Sequence, residues 1–320
     1  MEIIKPLVIL IAGFIILIKS SDIFVDAISS IATNFKMSKM MIALTVAAFG
    51  TCAPELAISF SSVAGGNGDI ALANVVGSNV VNILFIVGVA ACVSPIRVKS
   101  SVIKKELPIL LVVTSVFVLS IVFHYFDSLS VGNLLNRVDG VLFFLFFLVF
   151  MVYIVLVVKT KQGFFERSKP KYNMTQSIII TIVCCICIVV ASEIVVDNAI
   201  LLAQKIDVST KLITMTIIAI GTSLPEMTMT VIAAKRGEFD IALGNIIGTN
   251  IFNIGIVLGL PLIIYGGFGS LNFNIIDMLA VHIAAFTLYM FAKNDKVLSR
   301  LEGSIMICMF LIYYTYIFLT

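Results

Sequence analysis

The chain has 320 residues, of which 60% are apolar and only 12% are charged, so most of its surface must face lipid rather than water. A net charge of +3 with basic residues scattered along the chain excludes the charge signature of a nucleic-acid-binding protein. The six cysteines all lie in apolar stretches, where we predict small apolar side chains rather than a disulfide or zinc framework.

Apolar stretches of about 20 residues predict ten transmembrane helices. In chain order they cover 6–28, 39–63, 70–93, 107–125, 138–158, 176–203, 210–234, 241–266, 274–293 and 302–319. The largest hydrophilic stretch separates five of these helices from the other five. We therefore predict an all-α integral membrane protein with a first half at 1–158, a linker at 159–174 and a second half at 175–320.

The two halves contain the same helical unit. Residues 21–88 align with residues 192–259 at a constant offset of 171 without a gap, and 24 of the 68 paired residues are identical. Because each half has an odd number of predicted spans, the second copy must enter the membrane from the opposite side. Inverted repeats of this kind are typical of secondary transporters, which bind their substrate near the midplane between the repeats.

Lysine and arginine counts predict the orientation, since cytoplasmic loops retain positive charge. The first, third, fifth, seventh and ninth loops between predicted helices lie on one side of the membrane and contain 16 basic residues. The segments on the other side contain four. We therefore predict a multi-pass protein of the cell membrane, with both termini outside and the linker in the cytoplasm.

Each repeat contains a Gly-Thr-x-x-Pro-Glu motif within an apolar segment, at Gly50–Glu55 and Gly221–Glu226. The proline leaves the carbonyl of Gly50 or Gly221 unpaired and kinks the helix, while Thr51 and Thr222 add hydroxyls and the glutamate follows one turn later. The simpler interpretation is a kink whose glutamate hydrogen-bonds a neighbour. An acid at the bilayer centre costs roughly 2.5 kcal/mol or more, and its recurrence at symmetric positions favours a cation site.

The helix after each motif has a polar stripe with a spacing of four residues. The stripes are Asn74, Ser78 and Asn82 in the first repeat and Asn245, Thr249 and Asn253 in the second. For Ser78, Thr249, Asn82 and Asn253 we favour cation coordination over hydrogen bonding between helices. For Asn74 and Asn245 both interpretations stay open, and Gly77 and Gly248 are predicted to permit close helix packing.

All the candidate ligands offer oxygen, which suits calcium and sodium and fits zinc or copper poorly. His124 and His282 lie in different spans without a shared motif, so we predict hydrogen-bonded helix residues rather than metal ligands.

The paired motifs GTCAPE and GTSLPE, each followed by a helix with the pattern N-x-x-G-[ST]-N, resemble the two repeats of the cation/calcium exchanger superfamily, specifically its prokaryotic sodium/calcium antiporter branch. The resemblance covers the whole chain. It implies calcium bound by Glu55 and Glu226, and two long helices, about 6–28 and 176–203, that slide across the core to alternate access. It implies further ligands for sodium at Ala48, Thr51, Ser78, Ala219, Thr222, Ser223 and Thr249.

Two residues depart from the family pattern. Cys52 stands where the family often has serine, and Asn253 stands where some members have aspartate. The first departure weakens one sodium site or makes it depend on backbone oxygen. The second leaves two carboxylates, whose charge balances one calcium ion.

We therefore predict a secondary antiporter that exchanges calcium for sodium by alternating access in the lipid bilayer. A calcium/proton or potassium-dependent exchanger is the first alternative, and a passive cation channel is disfavoured by the opposed kinks of inverted repeats. We expect no enzymatic activity and no cofactor, because no nucleophile, metal-activated water or phosphate-binding loop is evident. The oligomeric state is left open and is compatible with a monomer.

Overall fold

The computed structural model describes residues 4–126, 135–160, 170–205, 219–267 and 275–319. These residues are almost entirely helical. The helices are α1 (Ile4–Asn34), α2 (Lys39–Thr51), α3 (Ala53–Ala64), α4 (Gly68–Val93), α5 (a π-helical turn at Val102–Glu106 followed by Leu107–Phe126), α6 (Arg137–Thr160), α7 (Met174–Lys205), α8 (Ala219–Gly221), α9 (Leu224–Lys235), α10 (Phe239–Tyr265), α11 (Ile275–Asp295) and α12 (Arg300–Leu319).

Seven of the described helices are long and apolar enough to cross a membrane, and the bent pair α2 and α3 makes an eighth candidate. The all-helical membrane fold predicted from composition is therefore confirmed. The predicted span 210–234 begins outside the described residues, so the number of ten spans stays a prediction.

The two helices that carry the polar stripes lie at the centre. Within their most apolar windows α4 is 78% buried and α10 is 83% buried, whereas the windows of α1, α5, α6, α7 and α11 are 28–39% buried. Side chains of the outer helices, such as Ile15 and Ile182, point outward with more than half of their surface exposed. The polar stripes are thus enclosed by protein, as intramembrane polar groups must be.

Helices α1 and α7 pack along each other on one side of this centre. Gly13 permits their close approach, because a Cβ at that position would lie 2.9 Å from Cγ2 of Val195. The two long helices that the family resemblance implies therefore form one contiguous unit beside the core.

Both motif helices are interrupted at the predicted place. The helix α2 ends at Thr51, α3 starts at Ala53, and the two axes differ by 48°. In the second repeat α8 ends at Gly221 and α9 starts at Leu224. In each case a proline occupies the first turn of the new helix, where its missing N–H costs nothing.

The polar stripes do not run along regular α-helix over their whole length. Asn82 lies in a π-helical segment, Val81–Ile86, and Asn253 begins another, Asn253–Leu258. A π-helical turn contains an extra residue and is found frequently at functional sites. The regular spacing predicted from the sequence therefore changes at the third residue of each stripe.

One end of the molecule joins the repeats through short polar contacts. Strand β1 (Ile96–Arg97) pairs antiparallel with β2 (Val297–Leu298). At the same end, the Lys39 ammonium lies 2.7 Å from a Glu238 carboxylate oxygen, connecting the start of α2 with the residue before α10.

Candidate cation-binding site

Glu55 and Glu226 lie in the first turns of α3 and α9, directly after the helix breaks. Both side chains are completely buried, and their carboxylates are close enough to interact electrostatically. Among the described residues, none of the four carboxylate oxygens has a hydrogen-bond partner. Buried charges are normally paired or coordinate a metal, so these two acids, on helices from both repeats, form a candidate cation site.

The helix termini favour negative charge at this position. Each glutamate sits in the first turn of a 12-residue helix, where backbone N–H groups carry partial positive charge. A regular helix through the motif would place the same acids in its interior without this stabilisation. The proline breaks therefore have an electrostatic consequence in addition to bending the chain.

Neutral oxygens without partners lie in the same packed centre. Helix α3 packs against the π-helical segment Asn253–Leu258, and α9 packs against its counterpart Val81–Ile86. Within the described part of the chain, the buried atoms without a hydrogen-bond partner include Oγ of Ser223, Oγ1 of Thr249, Oδ1 of Asn253 and both amide atoms of Asn82. Such unpartnered buried groups are rare in folded proteins, and their concentration around two acids indicates a ligand site.

The other predicted ligands differ in their burial and in the hydrogen bonds that they already make. Thr51 is buried and lies beside Glu226, and Ser78 is buried as well. Thr222 is half-buried, and the Ala48 carbonyl already accepts from the backbone N–H of Cys52 at 3.1 Å. Ala219 begins α8, and its side chain lies outside the described residues.

Cys52 and Ser223 occupy equivalent positions but differ in chemistry. The Cys52 thiol is buried near both carboxylates and donates to the Phe49 carbonyl at 3.5 Å. The Ser223 hydroxyl has no hydrogen-bond partner among the described residues. The neutral oxygens are thus distributed unequally between the two repeats.

Two further asparagines belong to the centre and were not predicted as site residues. Asn253 Nδ2 donates to Oδ1 of Asn79 at 3.1 Å, and Nδ2 of Asn79 donates to the Asn250 carbonyl at 3.5 Å. Asn250 Nδ2 donates to the Ile246 carbonyl at 2.9 Å. These bonds fix the Asn253 amide in one orientation. Asn79 and Asn250 are the asparagines of the two G-[ST]-N segments. Their identity at the offset of 171 was the feature of the sequence that could have identified them.

Asn74 and Asn245 connect helices. Thr51 donates to Oδ1 of Asn245 at 3.2 Å, and Nδ2 of Asn245 donates to Thr230 at 3.3 Å. Asn74 Nδ2 donates to the Glu55 carbonyl at 3.3 Å. Of the two interpretations left open, hydrogen bonding between helices therefore describes both residues.

Gly77 and Gly248, the glycines on the helices that carry the polar stripes, differ in how closely other helices approach them. A Cβ at Gly248 would lie 2.7 Å from both the Ala48 Cβ and the Leu44 carbonyl oxygen, so α10 and α2 approach closely as predicted. A Cβ at Gly77 would meet nothing within 4 Å among the described residues. The predicted packing role is wrong for Gly77 in the part of the chain that the structure describes.

The prediction that Gly50 has an unpaired carbonyl is also corrected. The Cys185 thiol of α7 donates to this carbonyl at 3.1 Å. Gly221 instead packs directly against the side chain of Val196, which also belongs to α7. The long helix α7 therefore contacts both motif segments.

Both histidines are hydrogen-bonded outside the site, as predicted. His124 Nε2 lies 3.0 Å from an Asp139 oxygen, and His282 Nδ1 lies 3.5 Å from the Ser115 hydroxyl. The described residues contain no cluster of three or more histidine, cysteine or acidic side chains that could hold a metal ion.

The sequence model of the sodium/calcium exchanger protein family matches residues 5–156 and 176–319. The putative antiporter CaxA of Alkalimonas amylolytica is 36% identical over 305 residues, 94% of this chain and 95% of that protein. Sodium/calcium exchanger MaX1 of Methanosarcina acetivorans is 30% identical over 97% of both chains. A solved structure of the sodium-calcium exchanger NCX_Mj is similar with a TM-score of 0.80 and 30% identity, covering 97% of this chain and 98% of that one. The resemblance inferred from the paired motifs is confirmed: the chain belongs to the sodium/calcium exchanger protein family.

Proposed function

We propose that this exchanger binds calcium and sodium in alternation between Glu55 and Glu226. The observation that carries the proposal is the pair of fully buried carboxylates whose four oxygens lack partners among the described residues. Two negative charges balance one calcium ion. Calcium takes six to eight oxygen ligands, and the surrounding hydroxyl and amide oxygens supply the others.

Sodium uses the same pocket and depends more on neutral ligands, because a single positive charge gains less from the carboxylates. The proposed ligands beyond the two acids are Ala48, Thr51, Ser78, Asn82, Ala219, Thr222, Ser223, Thr249 and Asn253. Among the described residues, the oxygen of the fixed Asn253 amide has no partner, and neither atom of the Asn82 amide has one, so that the Asn82 amide can turn toward either ion.

The proposed architecture is two inverted repeats of five spans, at 1–158 and 175–320, joined by the cytoplasmic linker. Equivalent hydrogen bonds at the offset of 171 support it. Asn74 contacts Ser59 at 3.5 Å, and Asn245 contacts Thr230 at 3.3 Å, with both pairs 15 residues apart. The family match also falls into two stretches separated at the linker.

Helices α1 and α7 are the proposed moving unit, and α1 is held to the core at one end. Arg236, after α9, lies 2.8 Å from Asp22 and 2.6 Å from Asp26 of α1, while Lys171 lies 2.7 Å from Asp26. Asp22 and Asp26 thus form ion pairs with basic side chains outside α1. Sliding of α1 and α7 along the core would break the two Arg236 contacts, which we propose close the cytoplasmic side. The Lys171 contact joins α1 to the segment before α7 and would move with the unit.

Calcium uptake into liposomes containing the purified protein tests this function. We expect an outward sodium gradient to drive uptake and matched potassium or proton gradients to fail. Uptake driven by protons or requiring potassium would favour the alternative exchangers. Calcium flux down its own gradient without any counter-ion would favour a channel.

Replacing a neutral ligand should affect the two ions unequally. We expect Thr249→Ala, and Ser78→Ala at the symmetric position, to raise the sodium concentration that drives half-maximal calcium release about threefold to tenfold, with a smaller change in calcium affinity. Sodium and calcium titrations of exchange in liposomes measure both effects. The buried Thr114→Ala in α5 serves as a control for loss of a threonine hydroxyl elsewhere. Equal loss of both affinities would instead show that these hydroxyls only hold helices together.

The orientation is tested at the linker, which lies mostly outside the described residues. A cysteine introduced by Gly163→Cys, with the native cysteines replaced, should react with a membrane-impermeant reagent only in everted vesicles. The 16 to four distribution of basic residues is the physical reason. Labelling in intact cells would contradict both the orientation and the opposed insertion of the two repeats.

A further inference from the structure

A groove separate from the cation site runs between α5 and α6. It has a volume of about 550 Å³, and most of its lining is apolar. The apolar side chains along it are Ile109, Val112, Val113, Phe146, Val149 and Phe150. Val112 and Val149 are at least half exposed, so the groove opens toward the surrounding lipid. Its apolar lining and its opening toward lipid suit a hydrocarbon chain.

One end of the groove is positively charged. Lys104 and Lys105 line it, and both are exposed on the π-helical turn at the start of α5. No acidic side chain in the described ranges lies within 4 Å of either ammonium, whereas Lys39, Lys99 and Lys171 all have acidic partners. Lysine at the end of a membrane helix reaches the headgroup region, where its charge is available to a lipid.

The neighbouring acid, Glu106, does not contribute to this positively charged end of the groove. Glu106 is buried and does not line the groove. Tyr153 does line it, and its hydroxyl donates to Oε1 of Glu106 at 2.6 Å. The side chain of Tyr153 thus presents its ring to the groove while its hydroxyl satisfies one oxygen of the carboxylate behind it.

A second groove between the same helices provides a contrast. It has a volume of about 700 Å³ and includes Leu119, His124 and Asp139, with no lysine or arginine. Both grooves are apolar, but only the first combines an apolar channel with two adjacent cationic groups.

We propose that the groove at Lys104 and Lys105 binds an anionic glycerophospholipid. The two ammonium groups bind the phosphate, and one acyl chain lies along the groove between α5 and α6. Basic pockets between transmembrane helices recognise anionic headgroups in this way. The bound lipid would be a structural partner of the helices outside the transport core.

Native mass spectrometry of the full chain, released from vesicles of equal phosphatidylglycerol and phosphatidylcholine, tests the proposal. We expect the wild type to retain phosphatidylglycerol preferentially. Since each lysine near the surface contributes about a fivefold gain, Lys104→Gln with Lys105→Gln should reduce its retention about thirtyfold. The matched control, Lys36→Gln with Lys235→Gln, removes two other exposed charges and should leave retention unchanged.

A second pair of variants separates the groove from general surface charge. Val149→Trp fills the groove with both lysines in place and should also reduce phosphatidylglycerol retention at least fivefold. Leu119→Trp in the second groove should leave it unchanged. Thermal unfolding of each variant checks that the fold is intact. Equal retention of the two lipids by the wild type, equal loss in the control lysine variant, or full retention by Val149→Trp would each overturn the proposal.

Discussion

Glu55→Gln and Glu226→Gln should each nearly abolish calcium exchange. The amide keeps the size of the side chain but removes half of the negative charge that faces a divalent ion. Removing one partner of a buried charge interaction costs about 3 kcal/mol or more, which corresponds to more than a hundredfold loss. Sodium-driven calcium uptake in liposomes, with the amount of inserted protein measured, tests this expectation.

Glu106→Gln is the matched control for these two variants. Glu106 is also a buried acid in an apolar helix, but it hydrogen-bonds Tyr153 in α6 and lies outside the cation site. Its replacement should preserve exchange. Wild-type rates in both Glu55→Gln and Glu226→Gln, or an equal loss in Glu106→Gln, would contradict a site built on the paired carboxylates.

Gly248→Ala should destabilise the protein and abolish most exchange activity. The new methyl group would lie 2.7 Å from the Leu44 carbonyl oxygen and from the Ala48 Cβ, so the backbones of α10 and α2 must separate. Overpacking of this kind costs about 1–3 kcal/mol. Because Thr249 follows directly and Ala48 is a proposed ligand, the separation also displaces ligands on both helices. Thermal unfolding and liposome exchange measure the two effects.

The equivalent substitution Gly77→Ala is the internal control. A Cβ there has no neighbour within 4 Å among the described residues, so we expect nearly normal stability and exchange. If Gly77→Ala is as damaging as Gly248→Ala, the inferred difference in packing between these two glycines is wrong. If Gly248→Ala unfolds at the wild-type temperature and retains exchange, the close packing of α10 on α2 does not constrain the site.

The sequence alone was sufficient for the features that depend on local chemistry. Apolar runs of fixed length predict helices in lipid, because every backbone polar group must be satisfied within the segment. A proline prevents a hydrogen bond at a fixed distance along the chain, so Pro54 and Pro225 locate the helix breaks. The acids that follow these prolines are costly in a membrane without a partner, which singled out Glu55 and Glu226 as candidate ligands.

Only the tertiary structure decided which distant groups meet. The Cys185 thiol reaches the Gly50 carbonyl across 135 residues, and Arg236 reaches Asp26 across 210 residues. Asn79 reaches the Asn250 carbonyl across exactly one repeat offset of 171. These partners depend on the packing of whole helices, which no periodic pattern along one helix specifies. The same reason explains why Gly77 and Gly248, identical in their motifs, have different surroundings: each glycine is defined by the helix opposite it rather than by its own neighbours in the chain.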